Sequence, residues 1–172
     1  MNGLKLHTYY LGIGSNTERV LNINSCINFL QCSFAHFQSS PVYQSPSFGF
    51  EGQDFYNLVV KIKTIFSPNQ LKDWLQNLEN LHGRDRSKPR YSNRSLDIDL
   101  LLCDDLIIDD GKVQIPRSEI LKRNYVLKPL QDLAPDLIHP TAQKRLAELW
   151  QALNESENSV LEMVTDRLFH RL

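Results

Sequence analysis

An alternating stretch at residues 95–102, SLDIDLLL, constrains the fold of this chain more than any other feature. Apolar residues at every second position predict a β-strand with one buried face, formed by Leu96, Ile98, Leu100 and Leu102. The same alternation places Asp97 and Asp99 together on the opposite face. We therefore expect a sheet that buries one face of this strand and presents two carboxylates on the other.

The segment just before this strand is rich in cations. From residue 84 to residue 94 the charged residues are five cations and the single acid Asp85, a net charge of about +4, and the cations are Arg84, Arg86, Lys88, Arg90 and Arg94. Carboxylates two residues apart on a strand lie roughly 6.6 Å apart at the Cα atoms and repel each other unless a cation lies between them. Oxygen ligands of this kind suit Mg²⁺, and two such ions can clamp a reacting phosphate. The pattern predicts a site for metal ions and a polyphosphate.

The length and composition favour one globular domain. The chain has 172 residues, of which 41% are hydrophobic, and a formal charge of −1, which allows a core without disulfides. The three cysteines form no C-x-x-C pair and favour reduced thiols in a cytoplasmic protein. No segment approaches the ~20 apolar residues of a membrane span, and no long basic face suits a nucleic acid. We expect a cytoplasmic monomer that binds neither a membrane nor a nucleic acid.

Helix and strand signals interleave without the regular rhythm of a parallel wound sheet. Ser15 and Glu18 have the spacing of a helix capping box, and Ser67 with Pro68 predicts the start of a second helix that Gly83 ends. Further strands are predicted at 8–13, within 34–43, and at 55–64, 106–108 and 113–115. Further helices are predicted from after Pro116 to residue 123, at 125–133 and at 142–153. This order favours an α+β sandwich with a mostly antiparallel sheet. For residues 154–172 the sequence is compatible with either a helix or disorder.

A glycine pair and a loop offer weaker signals for a binding site. Gly12 and Gly14 lack the third glycine of a dinucleotide-binding fingerprint, so they predict a tight strand-to-helix turn. The loop at 45–54 carries aromatic residues between glycines and a proline, which favours contact with a ligand. Asn57 follows it, and its carboxamide suits either the edge of a heterocycle or a local backbone hydrogen bond.

Four motifs in order give the chain a family resemblance. They are GxGSN at 12–16, SPxFGxxxQDFYN at 45–57, GRxRxxxRYxxRSLDIDLLL at 83–102 and IPRSEILKRNYVLKPLQDLAPDLIHP at 115–140. Together they resemble the 6-hydroxymethyl-7,8-dihydropterin pyrophosphokinases of folate biosynthesis. The resemblance implies a single domain over residues 1–172, with 154–172 as a C-terminal tail. It also implies a three-layer sandwich whose ferredoxin-like, mostly antiparallel sheet carries helices on both faces.

The resemblance further implies a reaction and its residues. The family transfers the β,γ-pyrophosphoryl group of ATP to the hydroxymethyl oxygen of the dihydropterin and releases AMP. Two Mg²⁺ ions are then expected on Asp97 and Asp99, with Arg84 and Arg94 as further catalytic residues. The implied ATP contacts are Gln76, Glu79, Arg86, Arg90, Leu100, Lys112, Gln114, Arg117, Ser118 and Arg123. The implied pterin contacts are Ser45, Pro46, Phe48, Phe55, Asn57 and Tyr125.

Several positions depart from the family pattern and bear on activity. Tyr91 stands where the family usually has tryptophan, residues 92–93 replace Gly-Pro, and Gln114 replaces threonine. Arg117 replaces a histidine near the phosphates and adds a permanent cation, which either tightens ATP binding or misplaces the nucleotide. We expect activity, and we keep open a catalytically weak paralogue that binds pterin or nucleotide as a sensor.

Two other functions are less compatible with the sequence. Nucleotidyltransferases also combine Gly-Ser with D-x-D, but in them the two motifs lie close together, whereas Ser15 and Asp97 are far apart. A module for single-stranded nucleic acid needs aromatic residues among its basic ones, and Asp97 and Asp99 would repel phosphates if no metal were bound.

Overall fold

The computed structural model describes residues 5–89, 92–156 and 161–164. Its strands are β1 (His7–Ser15), β2 (Phe37–Ser39), β3 (Tyr43–Ser45), β4 (Phe55–Thr64), β5 (Asp97–Cys103), β6 (Ile108–Asp109), β7 (Gln114–Ile115) and β8 (Glu162–Met163). Its α-helices are α1 (Arg19–Ser33), α2 (Pro68–Leu81), α3 (Asn124–Leu133) and α4 (Leu146–Ser156), and a 3₁₀ helix spans Ser118–Leu121. Among these residues no helix is long and apolar enough to cross a membrane.

One antiparallel sheet forms the middle layer of the fold. Its strands lie in the order β5-β1-β4-β3-β8, and β2 also pairs with β4. The first two-thirds of the chain therefore run strand, helix, strands, helix, strand, with β1 and β4 side by side in the centre. This is the predicted ferredoxin-like arrangement. The hairpin of β6 and β7 lies apart from the main sheet.

Helices cover the sheet on both faces, as predicted. On one face, α1 and α2 bury side chains such as Leu30 and Leu75 against Leu11 of β1. On the other, α3 and α4 bury Leu127 and Leu146. Each fully buried leucine contributes roughly 1.5–3 kcal/mol relative to an exposed one. The alternation of β4 explains the two layers, because successive side chains enter opposite cores.

The second helix begins and ends where its sequence predicts. Ser67 accepts a hydrogen bond from the Gln70 N–H, and the Gln70 side chain accepts one from the Ser67 N–H, with Pro68 at the first helical position. After Leu81 the chain turns through Gly83, whose φ of 76° favours glycine. The predicted cap of α1 is wrong: Ser15 is buried at the end of β1 and donates to the Thr17 carbonyl, and Glu18 has a φ of 42°.

A β-bulge changes the predicted faces of β5. Tyr10 pairs with Leu102, and Leu11 pairs with Leu100, so Leu101 has no partner on β1. The extra residue reverses the alternation beyond it. Leu102 therefore packs with Leu101 in the core beneath α3 and α4, and the prediction that it shares a face with Leu96 is wrong.

The ends of the remaining elements also differ from the predictions. The strand expected within 34–43 is divided into β2 and β3 around Ser40, whose hydroxyl accepts from the Val59 N–H. The helix expected from residue 142 begins at Leu146. Pro129 lies inside α3 and not in its first turn. In the tail, β8 is an edge strand, and the Val164 N–H donates to the Val42 carbonyl.

Candidate active site

A cleft of about 590 Å³ opens on the sheet face that also carries α3. Its floor is formed by β1, β4 and β5, and its walls by the loop at 45–54, the segment that follows α2, and residues 117–126. The motifs that lie far apart in the sequence meet here. Of the twenty residues named from the sequence, fifteen line this cleft: Ser45, Pro46, Phe48, Phe55, Asn57, Glu79, Arg84, Arg86, Arg94, Asp97, Asp99, Arg117, Ser118, Arg123 and Tyr125.

Two glycines in the central strand make room for the cleft. Gly12 lies between Val59 and Asp99, and Gly14 lies between Asn57 and Asp97. A Cβ atom at position 14 would lie 3.2 Å from the Asn57 Oδ1, and one at position 12 would lie 3.3 Å from the Leu101 side chain. The glycines therefore leave the floor open between the two outer strands. The predicted role in a tight turn is wrong, because both lie within β1.

The two carboxylates of β5 point into the cleft and repel each other. Burial, and next the negative charge of Asp97, raise the pKa of Asp99 to about 6 against the attraction of Arg117 and Lys72. The side chains keep 39% (Asp97) and 34% (Asp99) of their surface exposed, so both remain open to an ion from the cleft. Crowded, partly desolvated carboxylates of this kind favour a bound cation.

Each carboxylate has an arginine partner from a different loop. An Arg84 Nη lies 2.9 Å from the Asp97 Oδ1, and an Arg117 Nη lies 3.4 Å from the Asp99 Oδ1. Gly83 directs Arg84 toward the cleft, and the Arg84 N–H donates to the Glu79 carbonyl at the end of α2. The β5 bulge anchors the other arginine, because the free Leu101 carbonyl accepts from the Arg117 N–H at 2.9 Å.

A buried glutamate connects α2 to β5, the strand that carries Asp97 and Asp99. The Glu79 carboxylate accepts from the Ile98 N–H at 2.9 Å, between the two aspartates. Its other oxygen accepts from Arg86 at 2.9 Å. Only 4% of Glu79 is exposed, so it affects the cleft mainly by positioning Ile98 and Arg86. Glu79 therefore fixes the position of β5 relative to α2 and the position of Arg86.

Asn16 joins three loops close to Arg94, which lines the cleft. Its N–H donates to the Arg94 carbonyl at 3.0 Å, and its Oδ1 accepts from the Arg94 N–H at 2.7 Å. Its Nδ2 donates to Gln53 and Asn93. Burial lowers the pKa of the Arg94 guanidinium, and the positive charge of Arg84 lowers it further. Asn16 therefore holds the backbone of Arg94, whose largely buried guanidinium lies near the carboxylates of β5.

The other end of the cleft is aromatic. Phe55, Phe48 and Tyr125 line it, and the Asn57 Nδ2 donates to the Ser45 hydroxyl at 2.9 Å on its floor. This bond fixes the orientation of the carboxamide, so that its oxygen is directed toward Gly14. Arg123 lies over the Phe48 ring, 3.7 Å from its centre, where the loop at 45–54 approaches α3. A flat, polar-edged ring system suits this end.

Four of the residues named from the sequence lie outside the lining of the cleft. Leu100 packs in the core against α1 and α2. The Gln76 carbonyl accepts from Arg86 at the outer side of the loop. Lys112 pairs with Asp73 of α2, and Gln114 lies exposed in β7. Arg90 lies outside the described residues, as does Tyr91. The assignments of individual ligand contacts stay predictions.

The cleft also contains residues that the sequence reasoning missed. Lys72 and Glu119 lie close enough to Asp99 to shift its pKa, and Phe50 meets the Phe55 ring edge-on at 6.3 Å between centres. Lys72 lies seven residues before Glu79, so helical spacing could have identified it. No comparable local signal identifies Glu119, because the 3₁₀ turn that carries it is short.

The donor set fits divalent cations. Asp97 and Asp99 supply hard oxygen ligands, and neighbouring guanidinium groups are available for phosphate oxygens. The buried Nε of Arg84 has no hydrogen-bond partner among the described residues, although its Nη contacts Asp97. An unsatisfied guanidinium N–H directed at a cleft is a donor available for an anionic ligand.

Carboxylates, arginines and an aromatic pocket on an α+β sheet are features of phosphotransferases that act on a ring-bearing substrate. The chain matches the sequence profile of the 7,8-dihydro-6-hydroxymethylpterin-pyrophosphokinase family over residues 10–135. It is 35% identical over 143 residues to the 2-amino-4-hydroxy-6-hydroxymethyldihydropteridine pyrophosphokinase of Aquifex aeolicus, covering 82% of this chain and 89% of that protein. The protein of the same name from Haemophilus influenzae is 36% identical over 140 residues, covering 79% and 87%. The chain belongs to the 7,8-dihydro-6-hydroxymethylpterin-pyrophosphokinase family.

A solved structure supports the fold. The crystal structure of Plasmodium falciparum HPPK-DHPS aligns with a TM-score of 0.71 over 95% of this chain, at 14% identity. At that identity the likeness concerns the fold alone. The present chain spans 43% of that longer solved chain.

Proposed function

We propose that this protein transfers the pyrophosphoryl group of ATP to the hydroxymethyl oxygen of 6-hydroxymethyl-7,8-dihydropterin, giving the pterin diphosphate and AMP for folate synthesis. Membership of the family and the names of the bacterial relatives support this reaction. The observation that carries the proposal is the division of the cleft. One end is aromatic with an oriented carboxamide, and the other holds two carboxylates and four arginines.

The aromatic end suits the pterin. Phe55 and Tyr125 supply ring faces, and Asn57 supplies a donor and an acceptor whose orientation Ser45 fixes. A pterin edge presents both donors and acceptors, so an oriented carboxamide can read it. Gly14 leaves the space in front of this carboxamide. The hydroxymethyl group would then project along the floor toward the carboxylates.

The charged end suits the triphosphate and its metal ions. We propose that Asp97 and Asp99 hold two Mg²⁺ ions, which would neutralise phosphate oxygens and orient the displacement at the β-phosphorus. Arg84 and Arg117 occupy those carboxylates in the free protein. Cations held by the two carboxylates would leave these guanidinium groups available for bidentate contacts with phosphate oxygens. The negative charge of the reacting phosphates would then be neutralised by both the metal ions and the guanidinium groups.

Most of the rate enhancement then comes from positioning. Glu79 and Asn16 hold Arg86, Arg94 and β5 in place through hydrogen bonds that are buried or partly buried. Negative charge develops on non-bridging and leaving oxygens, where Arg84 and Arg94 supply fixed positive charge in a partly desolvated site. The segment that follows α2 and carries both arginines forms a wall of the cleft.

Arg117 is an active-site arginine in this proposal. Its Nε lies 3.3 Å from a Glu119 oxygen and an Nη lies 3.4 Å from Asp99, so two acids fix its position. The β5 bulge fixes its backbone. We expect it to stabilise bound phosphate at every pH where the fold persists, unlike a titratable histidine.

The test is the identity of the nucleotide product. Purified protein is mixed with ATP, Mg²⁺ and the hydroxymethyl dihydropterin, and the products are separated by anion exchange. AMP should form only when both substrates are present. The double variant Asp97→Asn, Asp99→Asn should lose this activity, and Asp105→Asn, Asp109→Asn, which changes two exposed acids by the same charge, should keep it.

Other products would overturn the proposal. ADP would indicate ordinary phosphoryl transfer. Absence of turnover with intact pterin binding, measured by calorimetry, would favour a catalytically weak binding paralogue. A cytoplasmic location and a monomeric state also stay predictions, and sedimentation analysis tests the second.

A further inference from the structure

Three metal-ligating groups converge at the end of the sheet opposite the cleft. A ring nitrogen of His7, the Sγ of Cys103 and a carboxylate oxygen of Asp104 all lie within 4.8 Å of one another. His7 begins β1 and Cys103 ends β5, so the group lies roughly 20 Å from Asp97 along the strand, at about 3.3 Å per residue. It is therefore separate from the proposed active site.

Strand register and one unusual backbone conformation bring these ligands together. Tyr9 pairs with Cys103, and in an antiparallel pair the side chains of paired residues share a face, as does His7 two residues away. Asp104 follows with a φ of 47°, which turns its side chain back over that face. Its Oδ1 accepts from the Thr8 N–H at 2.9 Å, and its Oδ2 lies 2.8 Å from the His7 Nδ1.

We propose that His7, Cys103 and Asp104 form a second metal site, selective for Zn²⁺ or a similar borderline cation over Mg²⁺. Imidazole, thiolate and carboxylate are the ligand types of zinc sites, and Mg²⁺ avoids sulfur. Bond lengths of about 2.0–2.3 Å around a tetrahedral ion place ligand atoms roughly 3.3–3.7 Å apart. The observed group reaches that spacing with side-chain shifts of about 1 Å.

The surroundings allow an ion to enter and to be held. The side chains of His7 and Asp104 are 17% and 22% exposed, whereas Cys103 is fully buried, so the ion would enter on the histidine side and meet the sulfur beneath. Binding replaces the thiol proton by a metal–sulfur bond and releases one proton to solvent. Lys5 lies 3.8 Å from Asp104, but its side chain is 68% exposed and can move away. Water completes the tetrahedron.

Cobalt(II) titration of the reduced, metal-stripped full-length protein tests the site. A cobalt–thiolate bond gives a near-ultraviolet charge-transfer band, which Asp97 and Asp99 cannot produce because they lack sulfur. We expect one band-producing Co²⁺ per chain, displaced by Zn²⁺. Cys103→Ser should abolish the band, and His7→Ala should weaken Co²⁺ binding at least about tenfold. Cys32→Ser, which changes an exposed thiol, is the matched control and should leave the band unchanged.

Two results would overturn the proposal. One is no charge-transfer band in the wild-type protein, whose three groups would then form only a structural ion pair. The other is a band that survives in Cys103→Ser and disappears in Cys32→Ser, which means adventitious binding at a surface thiol. If Cys103→Ser does not fold, His7→Ala decides: at this partly exposed position, a folded variant with unchanged cobalt affinity rejects the site.

Discussion

Removing the charge of Asp99 should stabilise the metal-free protein while abolishing its activity. Burial and the neighbouring Asp97 raise the pKa of Asp99 from 3.8 to about 6, so ionising it costs more in the folded chain than in the unfolded one. A shift of this size corresponds to about 3 kcal/mol at most, at 1.36 kcal/mol per pKa unit. Since 34% of the side chain is exposed, solvent screening reduces the expected gain in Asp99→Asn to about 1–2 kcal/mol.

The pH dependence gives the sign of the effect. An acid with a raised folded pKa weakens stability as pH rises from about 4 to about 6, because the unfolded chain releases the proton first. At about pH 8 the carboxylate is ionised in both states, and the full advantage of the variant is present. Below about pH 4 it is protonated in both, and the advantage disappears. For a domain of this length, 1–2 kcal/mol corresponds to roughly 2–8 °C in Tm.

Urea unfolding followed by circular dichroism in EDTA measures this difference across the pH range. Asp109→Asn, an exposed carboxylate outside the cleft, is the matched control and should change stability by less than about 0.5 kcal/mol. A variant that is less stable than the wild type at pH 8, or equally more stable at all pH values, would refute the reasoning. Mg²⁺ with ATP should stabilise the wild type and leave Asp99→Asn almost unchanged.

Three further predictions concern the support of the cleft. Asn16→Ala leaves the buried Arg94 N–H without its acceptor, and we expect a loss of about 1–3 kcal/mol in urea unfolding together with lower kcat/KM. Gly14→Ala places a Cβ 3.2 Å from the Asn57 oxygen and should weaken pterin binding by calorimetry on the order of tenfold, with the fold intact. Burial lowers the pKa of His139, whose Nε2 has no partner among the described residues. Stability should therefore fall as pH drops below about 6.5, the unfolded value, and His139→Gln should flatten that slope in the same unfolding assay.

The parts of the fold that depend on neighbouring residues were predictable from sequence. The alternation around Asp97 and Asp99 gave the correct strand and the correct cleft-facing side, because side chains on a strand alternate with a period of two. Ser67 and Gly83 gave the ends of α2, because capping depends on residues within one helical turn. The motifs gave the ferredoxin-like sheet by resemblance, and the structure confirms it.

The parts of the fold that depend on residues distant in sequence were not predictable. The bulge at Leu101 appears only when β5 is aligned with β1, and no residue within β5 marks it. Asn16 gives no local sign that it joins the loops at Gln53 and Arg94, since those partners are 37 and 78 residues away. The edge strand β8 likewise depends on pairing with β3. These features are therefore set by pairing between distant segments, which local sequence patterns do not reveal.

The glycine floor of the cleft has a consequence for inhibition. Above Gly12 and Gly14 a small molecule would press against main-chain atoms, which no point substitution can remove. Replacing either glycine adds a Cβ that crowds Leu101 or Asn57, so a change that expels the inhibitor also narrows the space for the substrate. Substitutions that confer resistance would then be confined to the cleft walls, where side chains can vary, and a compound that contacts only the floor would leave few such positions.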